Sequence, residues 1–225
     1  METDRMKLIQ YISEKTAPCR TSFREWADRL DAQVCRYEYA SGGVLLPHGY
    51  YCPSPVYDII ITNIKRGKLL QRHPRKDPPD YCYGFNKDDE LITACKEGVS
   101  KELFVRDGQD VFGVMGTMRD WDIPNFMTFA RYEGGRIQAF AYIDYMLGRF
   151  GSCWLEEYEY QNGLLETAIL DHFRRDTTLF KCVYHFEHDS DGYLSSYSGQ
   201  ELIHQDCEVP PYQPHTYPIK VRRKV

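Results

Sequence analysis

The chain changes its period once. Through roughly the first third of the N-terminal half, apolar side chains recur at helical spacing. Met6, Ile9 and Ile12 fall close to one face of a helix that Thr3 can cap, and Pro18 is expected to end it. A second helix is expected from Thr21 or Ser22, with Glu25 placed as the reciprocal partner of Ser22 in a capping box. Phe23, Trp26, Leu30 and Val34 then make its buried stripe. From Val56 onward the pattern turns β-branched, aromatic and often alternating, in "YDIIITN", "DYCYGF", "KELFVRD", "FMTFARY", "IQAFAYIDY" and "FKCVYHF". Short turns separate these segments, and short turns cannot carry a parallel crossover. The pattern predicts an α+β chain that is predominantly β. N-terminal helices occupy 1–39, a Gly/Pro-rich linker 40–55, a long antiparallel β-meander of hairpin repeats 56–207, and a Pro-rich then basic tail 208–225.

The turns share a frame. An aromatic residue is followed by a turn, then Gly or Asp, one spacer and Leu or Ile: Phe85–Asp89–Leu91, Tyr132–Gly135–Ile137, Tyr160–Gly163–Leu165 and Phe186–Gly192–Leu194. "NIKRGKL" repeats its second half with Gly67 and Leu69, and Tyr83, Tyr158 and Tyr184 stand two residues before three of the aromatics. Aromatics at i and i+2 share a strand face, and Gly, Asp or Asn supplies the positive φ of a tight hairpin. "FNKDDELITACKEG", residues 85–98, resembles the tyrosine–aspartate repeats of Rhs-type toxin shells, with Phe85, Asn86, Asp89, Glu90, Leu91 and Gly98 in register. That resemblance implies a hairpin-repeat sheet; a chain of 225 residues is too short to form a large encapsulating shell.

Composition refines this picture. Eighteen Tyr and eleven Phe favour strands over a helical bundle. No apolar run is long enough to span a bilayer as a helix, and the N-terminus "METDRMKLIQYISEK" has no signal-peptide core, so a soluble cytoplasmic protein is expected. The eight cysteines are scattered with no C-x-x-C pair, which reads as reduced thiols packed as small apolar groups. The net charge of −5 is uneven: residues 64–77 carry +5 and residues 218–225 carry +4, leaving −14 on the rest. Such a body repels phosphate and suits a cationic protein partner.

Candidate chemistry is sparse. "FEHDSDGYL" places Asp189, Asp191 and Gly192 as in a calcium loop starting at Glu187, but the twelfth position holds Ser198 where a bidentate Glu is required. A β-turn is therefore expected there, with no metal and no cofactor. His185 and His188 are three apart and cannot converge from a regular strand. The chain has no G-x-S-x-G, phosphate-loop or dinucleotide motif. The basic stretch 64–77 reads as an edge strand with Lys and Arg facing solvent. These features favour a non-enzymatic protein-binding module, most specifically a bacterial immunity protein that neutralises a basic toxin domain through an acidic surface. Asp107, Asp110, Asp120, Trp121, Asp122, Glu156, Glu157 and Glu159 are expected to form that surface. A hydrolase with a dispersed His/carboxylate site and a repeat-sheet scaffold are the alternatives.

Overall fold

The computed structural model describes residues 2–43, 48–60, 65–73, 78–96, 98–117, 124–146, 149–175, 177–205 and 216–219. Two helices, α1 (Glu2–Thr21) and α2 (Phe23–Asp31), lead into the strands. These are β1 (Arg36–Ser41), β2 (Lys68–Leu70), β3 (Tyr81–Phe85), β4 (Leu91–Lys96), β5 (Ser100–Asp107), β6 (Asp110–Thr117), β7 (Phe126–Glu133) and β8 (Arg136–Met146). They continue as β9 (Arg149–Gln161), β10 (Leu164–Arg174), β11 (Thr177–His188), β12 (Leu194–His204) and β13 (Thr216–Pro218). All join one antiparallel sheet, and from β3 to β13 each strand pairs with its neighbour in sequence. The expected α+β meander is the observed fold. Its start differs from a simple meander, because β1 lies between β2 and β3 and the sheet begins at Arg36.

One face of the sheet is covered by the helices. Ile9 and Ile12 pack with Phe112, Met127, Phe129, Ile143 and Phe173, while Phe23, Ala27 and Leu30 pack with Ile92, Leu103 and Val114. Pro18 does not end α1, which runs to Thr21. Pro18 is exposed and withholds one helical donor, from the Glu14 carbonyl, while Arg20 donates to the neighbouring Ser13 carbonyl at 3.0 Å. Ser22 does precede α2, but its side chain makes no cap; its own N–H bonds the Pro18 carbonyl at 3.3 Å and ties the two helices together.

The opposite face is covered by the segment expected to be a linker. Residues 48–56 lie against the sheet, with His48, Cys52, Ser54 and Val56 buried. The expected strand "YDIIITN" begins instead with a helical turn, α3 (Tyr57–Ile60); residues 61–63 lie outside the described residues. Ser54 explains how it starts: its hydroxyl accepts from the N–H groups of Val56 (3.2 Å) and Tyr57 (2.9 Å), and the Val56 carbonyl then accepts from the Ile60 N–H at 2.9 Å. Val56 then packs with Phe140, Tyr158, Leu165 and Phe186. Cover on both faces is why central strands are buried continuously, as in Met127–Ala130 of β7. The C-terminal tail also contributes, since β13 pairs with β12 and Tyr217 stacks on Tyr197 at 5.2 Å.

The turn frame holds in detail. Asp89, Gly135, Gly163 and Gly192 all adopt positive φ, between 62° and 83°. In the 186–194 turn, Asp189 Oδ1 accepts from the N–H groups of Asp191 and Tyr193, both at 2.9 Å, and the Asp189 N–H bonds the Tyr193 carbonyl at 2.8 Å. Asn86 makes the same set at the other end of the sheet, with Asp88 at 3.0 Å, Glu90 at 2.9 Å and the Glu90 carbonyl at 3.0 Å. One side-chain oxygen organises each turn, and a neutral amide does it as well as a carboxylate. Asp189→Asn is therefore expected to change the urea midpoint little, whereas Asp189→Ala should cost about 1 kcal/mol. Equal loss in both variants would contradict the role given to that oxygen.

Candidate functional site

Two buried polar clusters underlie the 48–60 segment. In the first, Thr128 donates its hydroxyl to Glu102 Oε1 at 3.0 Å, so its oxygen accepts from His48 Nε2 at 2.9 Å. His48 Nε2 also lies 2.8 Å from Glu102 Oε1, and its ring sits edge-on to Phe104 at 4.5 Å. In the second, Glu156 is fully buried, and its Oε2 accepts from Ser54 Oγ at 2.6 Å and from the Tyr158 hydroxyl. Burial pushes the Glu156 carboxyl up to about 7, against the opposing pull of its Ser54 and Tyr158 hydrogen bonds. The Trp154 indole N–H pulls in the same direction as those two bonds. Arg66 closes the segment from outside, bonding the carbonyls of Cys52 (2.8 Å) and Ser54 and the Asp58 carboxylate (3.3 Å). Each cluster joins one point of the segment to a different part of the sheet, which makes both of them anchors.

The expected acidic surface divides. Glu156 is not on it: strand alternation puts Glu156 on the face beneath the 48–60 segment and sends Glu157 and Glu159 to the other face. Asp110 is 7% exposed and already engaged, accepting two bonds from Arg131 at 2.9 Å and one from Tyr11 at 2.8 Å. These contacts hold its carboxyl below the usual range, Arg131 being the largest cause. Asp107 is exposed and ion-paired with Lys15. Asp120, Trp121 and Asp122 lie outside the described residues.

Glu157 and Glu159 acquire company that chain order concealed. The register Glu159–Thr167–His185–Ser198 crosses four strands, and Glu157–Ile169–Val183–Gln200 runs beside it. Glu187, two residues from His185 and opposite Ser196, shares their face. Glu157, Glu159, His185 and Glu187 are all exposed. This acidic strip spans β9 to β11 on the helical side, at the end of the sheet remote from α2. Alternating exposed acids in "EEYEY" and "HFEH" are its sequence signal, but their juxtaposition depends on register.

The remaining candidates resolve individually. A bulge does fall between Glu187 and His188, yet His185 Nδ1 meets Thr167 Oγ1 at 3.4 Å and His188 Nε2 is buried without a partner. Neither histidine belongs to a group of three or more metal-ligating side chains among the described residues. In the basic stretch, β2 is an edge strand with Lys68 exposed, but Arg66 turns inward to the anchor described above. Among the described residues, no helix is long and apolar enough to cross a membrane. No protein-family model and no curated protein matches the chain. The observed class is thus a single antiparallel sheet clothed on both faces by segments of its own chain.

Proposed function

We propose that this chain is a protein-binding module, most specifically an immunity protein that captures a basic toxin domain on the Glu157–Glu159–Glu187 strip. The observation that carries the reading is the exposure of three carboxylates on one rigid sheet face, two of them on a single strand. Strand-borne charges are held in fixed geometry, so little ordering is lost on docking, and complementary charge accelerates encounter. The likeness of residues 85–98 to Rhs-type repeats supports an origin in toxin systems. The action proposed is binding, with no chemical step.

The test is a cationic toxin domain encoded next to this chain, purified and titrated against it at several salt concentrations. The triple variant Glu157→Lys, Glu159→Lys, Glu187→Lys should weaken capture by at least tenfold, mainly through slower association, and should flatten the salt dependence. Unchanged affinity and unchanged salt dependence would remove the strip from the interface.

A further inference from the structure

Seven described cysteines divide into three environments. Cys19, Cys52, Cys153 and Cys182 are buried, and burial pushes all four thiols up, those of Cys19 and Cys52 to about 12. Cys35 is exposed. Cys82 on β3 and Cys95 on β4 differ from both groups, being partly exposed and directly opposite one another in the ladder. They share the helical face of the sheet and line an open cavity of about 310 Å³ with Tyr37, Tyr39, His73 and Pro79.

We propose that Cys82 and Cys95 form a reactive dithiol site that small peroxides oxidise to a reversible cross-strand disulfide. Directly opposed residues of an antiparallel ladder have Cα atoms about 4.5–5.5 Å apart, inside the roughly 4.4–6.8 Å window of disulfides. The cavity admits a molecule the size of hydrogen peroxide to sulfur atoms that the buried thiols withhold. In the first step one thiolate attacks a peroxide oxygen; the O–O bond breaks, leaving a sulfenic acid and hydroxide, which is protonated to water. In the second, the other thiolate attacks that sulfur; an S–S bond forms, the S–O bond breaks and a second water leaves. The two thiols lose two electrons and two protons, and the peroxide gains them.

The geometry also argues for reversibility. Opposed Cβ atoms lie about 4.5–5.5 Å apart, whereas a relaxed disulfide holds them near about 3.8 Å. Closure therefore draws β3 and β4 together, and a bond formed under such tension yields readily to a small thiol. The floor of the cavity would alternate between two thiols and one bridge, under redox control.

The reduced full-length chain, titrated with hydrogen peroxide and denatured for intact mass, should lose about 2 Da with no added oxygen. Its proteolytic digest should contain a peptide linking Cys82 to Cys95, and dithiothreitol should restore the starting mass. Cys82→Ser and Cys95→Ser should each abolish the loss and accumulate oxygen adducts on the remaining thiol, while Cys35→Ser should behave as the parent. A natively folded parent, by circular dichroism, that takes up oxygen independently at Cys82 and Cys95, or links a different pair, overturns the proposal.

Discussion

Glu156 is expected to contribute a loss of stability on the order of 3 kcal/mol as pH rises from about 4.5 to about 7, a contribution that Glu156→Gln should abolish. His172 and His188, whose imidazoles burial holds below their ordinary range, contribute with the opposite sign below about 6.5. The unfolded carboxyl ionises near its ordinary value of 4.5, while the folded one, desolvated beneath residues 54–57, keeps its proton to about 7. In that window the native state binds the extra proton, so protonation favours folding and each step upward in pH costs stability. Above about 7 both states are ionised and the slope levels off. Asp110 has the opposite sign and a separate window: its carboxyl is held below the ordinary 3.8, so its stabilisation is lost only in stronger acid. Glutamine keeps an acceptor for Ser54 and Tyr158 but cannot ionise. Urea midpoints at a series of pH values would decide the matter, and an equally steep slope in the variant would show that Glu156 is not the titrating group.

Gly113→Ala is expected to destabilise the fold by about 3 kcal/mol and to loosen the 48–52 segment selectively. Gly113 faces the first polar cluster from β6. An added Cβ would collide with Thr128 Oγ1 and lie 2.5 Å from Glu102 Oε1. Thr128 is the hydroxyl that joins His48 to Glu102, so displacing it leaves buried groups without partners. Hydrogen exchange should rise first at the amides of Tyr50, Tyr51 and Cys52, whose acceptors are Tyr83 and the carbonyls of His48 and Gly49. Gly98→Ala is a useful contrast: a Cβ there meets nothing within 4 Å, so only the backbone strain of its φ of 67° applies, about 1 kcal/mol. Uniform exchange across the sheet in Gly113→Ala would indicate general overpacking and no specific anchor.

Both predictions concern contacts between residues far apart in sequence, and there the primary structure is least legible. Hairpins were readable because each depends on local chemistry. Asp89, Gly135, Gly163 and Gly192 stand where a tight turn needs positive φ, and the flanking aromatics alternate with it. The helical start of α3 was also present, in the Ser54 hydroxyl, but the apolar run "YDIII" masks it with a strand-like composition. The candidate acidic surface was half readable. Alternation shows that Glu156 must oppose Glu157 and Glu159, yet it does not show which face acquires a cover.

By itself, then, the order of residues determined the antiparallel meander, its turns and the two N-terminal helices, because propensity, periodicity and positive-φ residues act within a few positions of one another. Tertiary structure alone decided that residues 48–60 would cover the sheet, that Glu156 and Asp110 would be enclosed, and that Glu187 would stand beside Glu159. Those outcomes depend on which side chains are removed from water together, and that is set by strand register and by the path of the covering segment across the whole sheet.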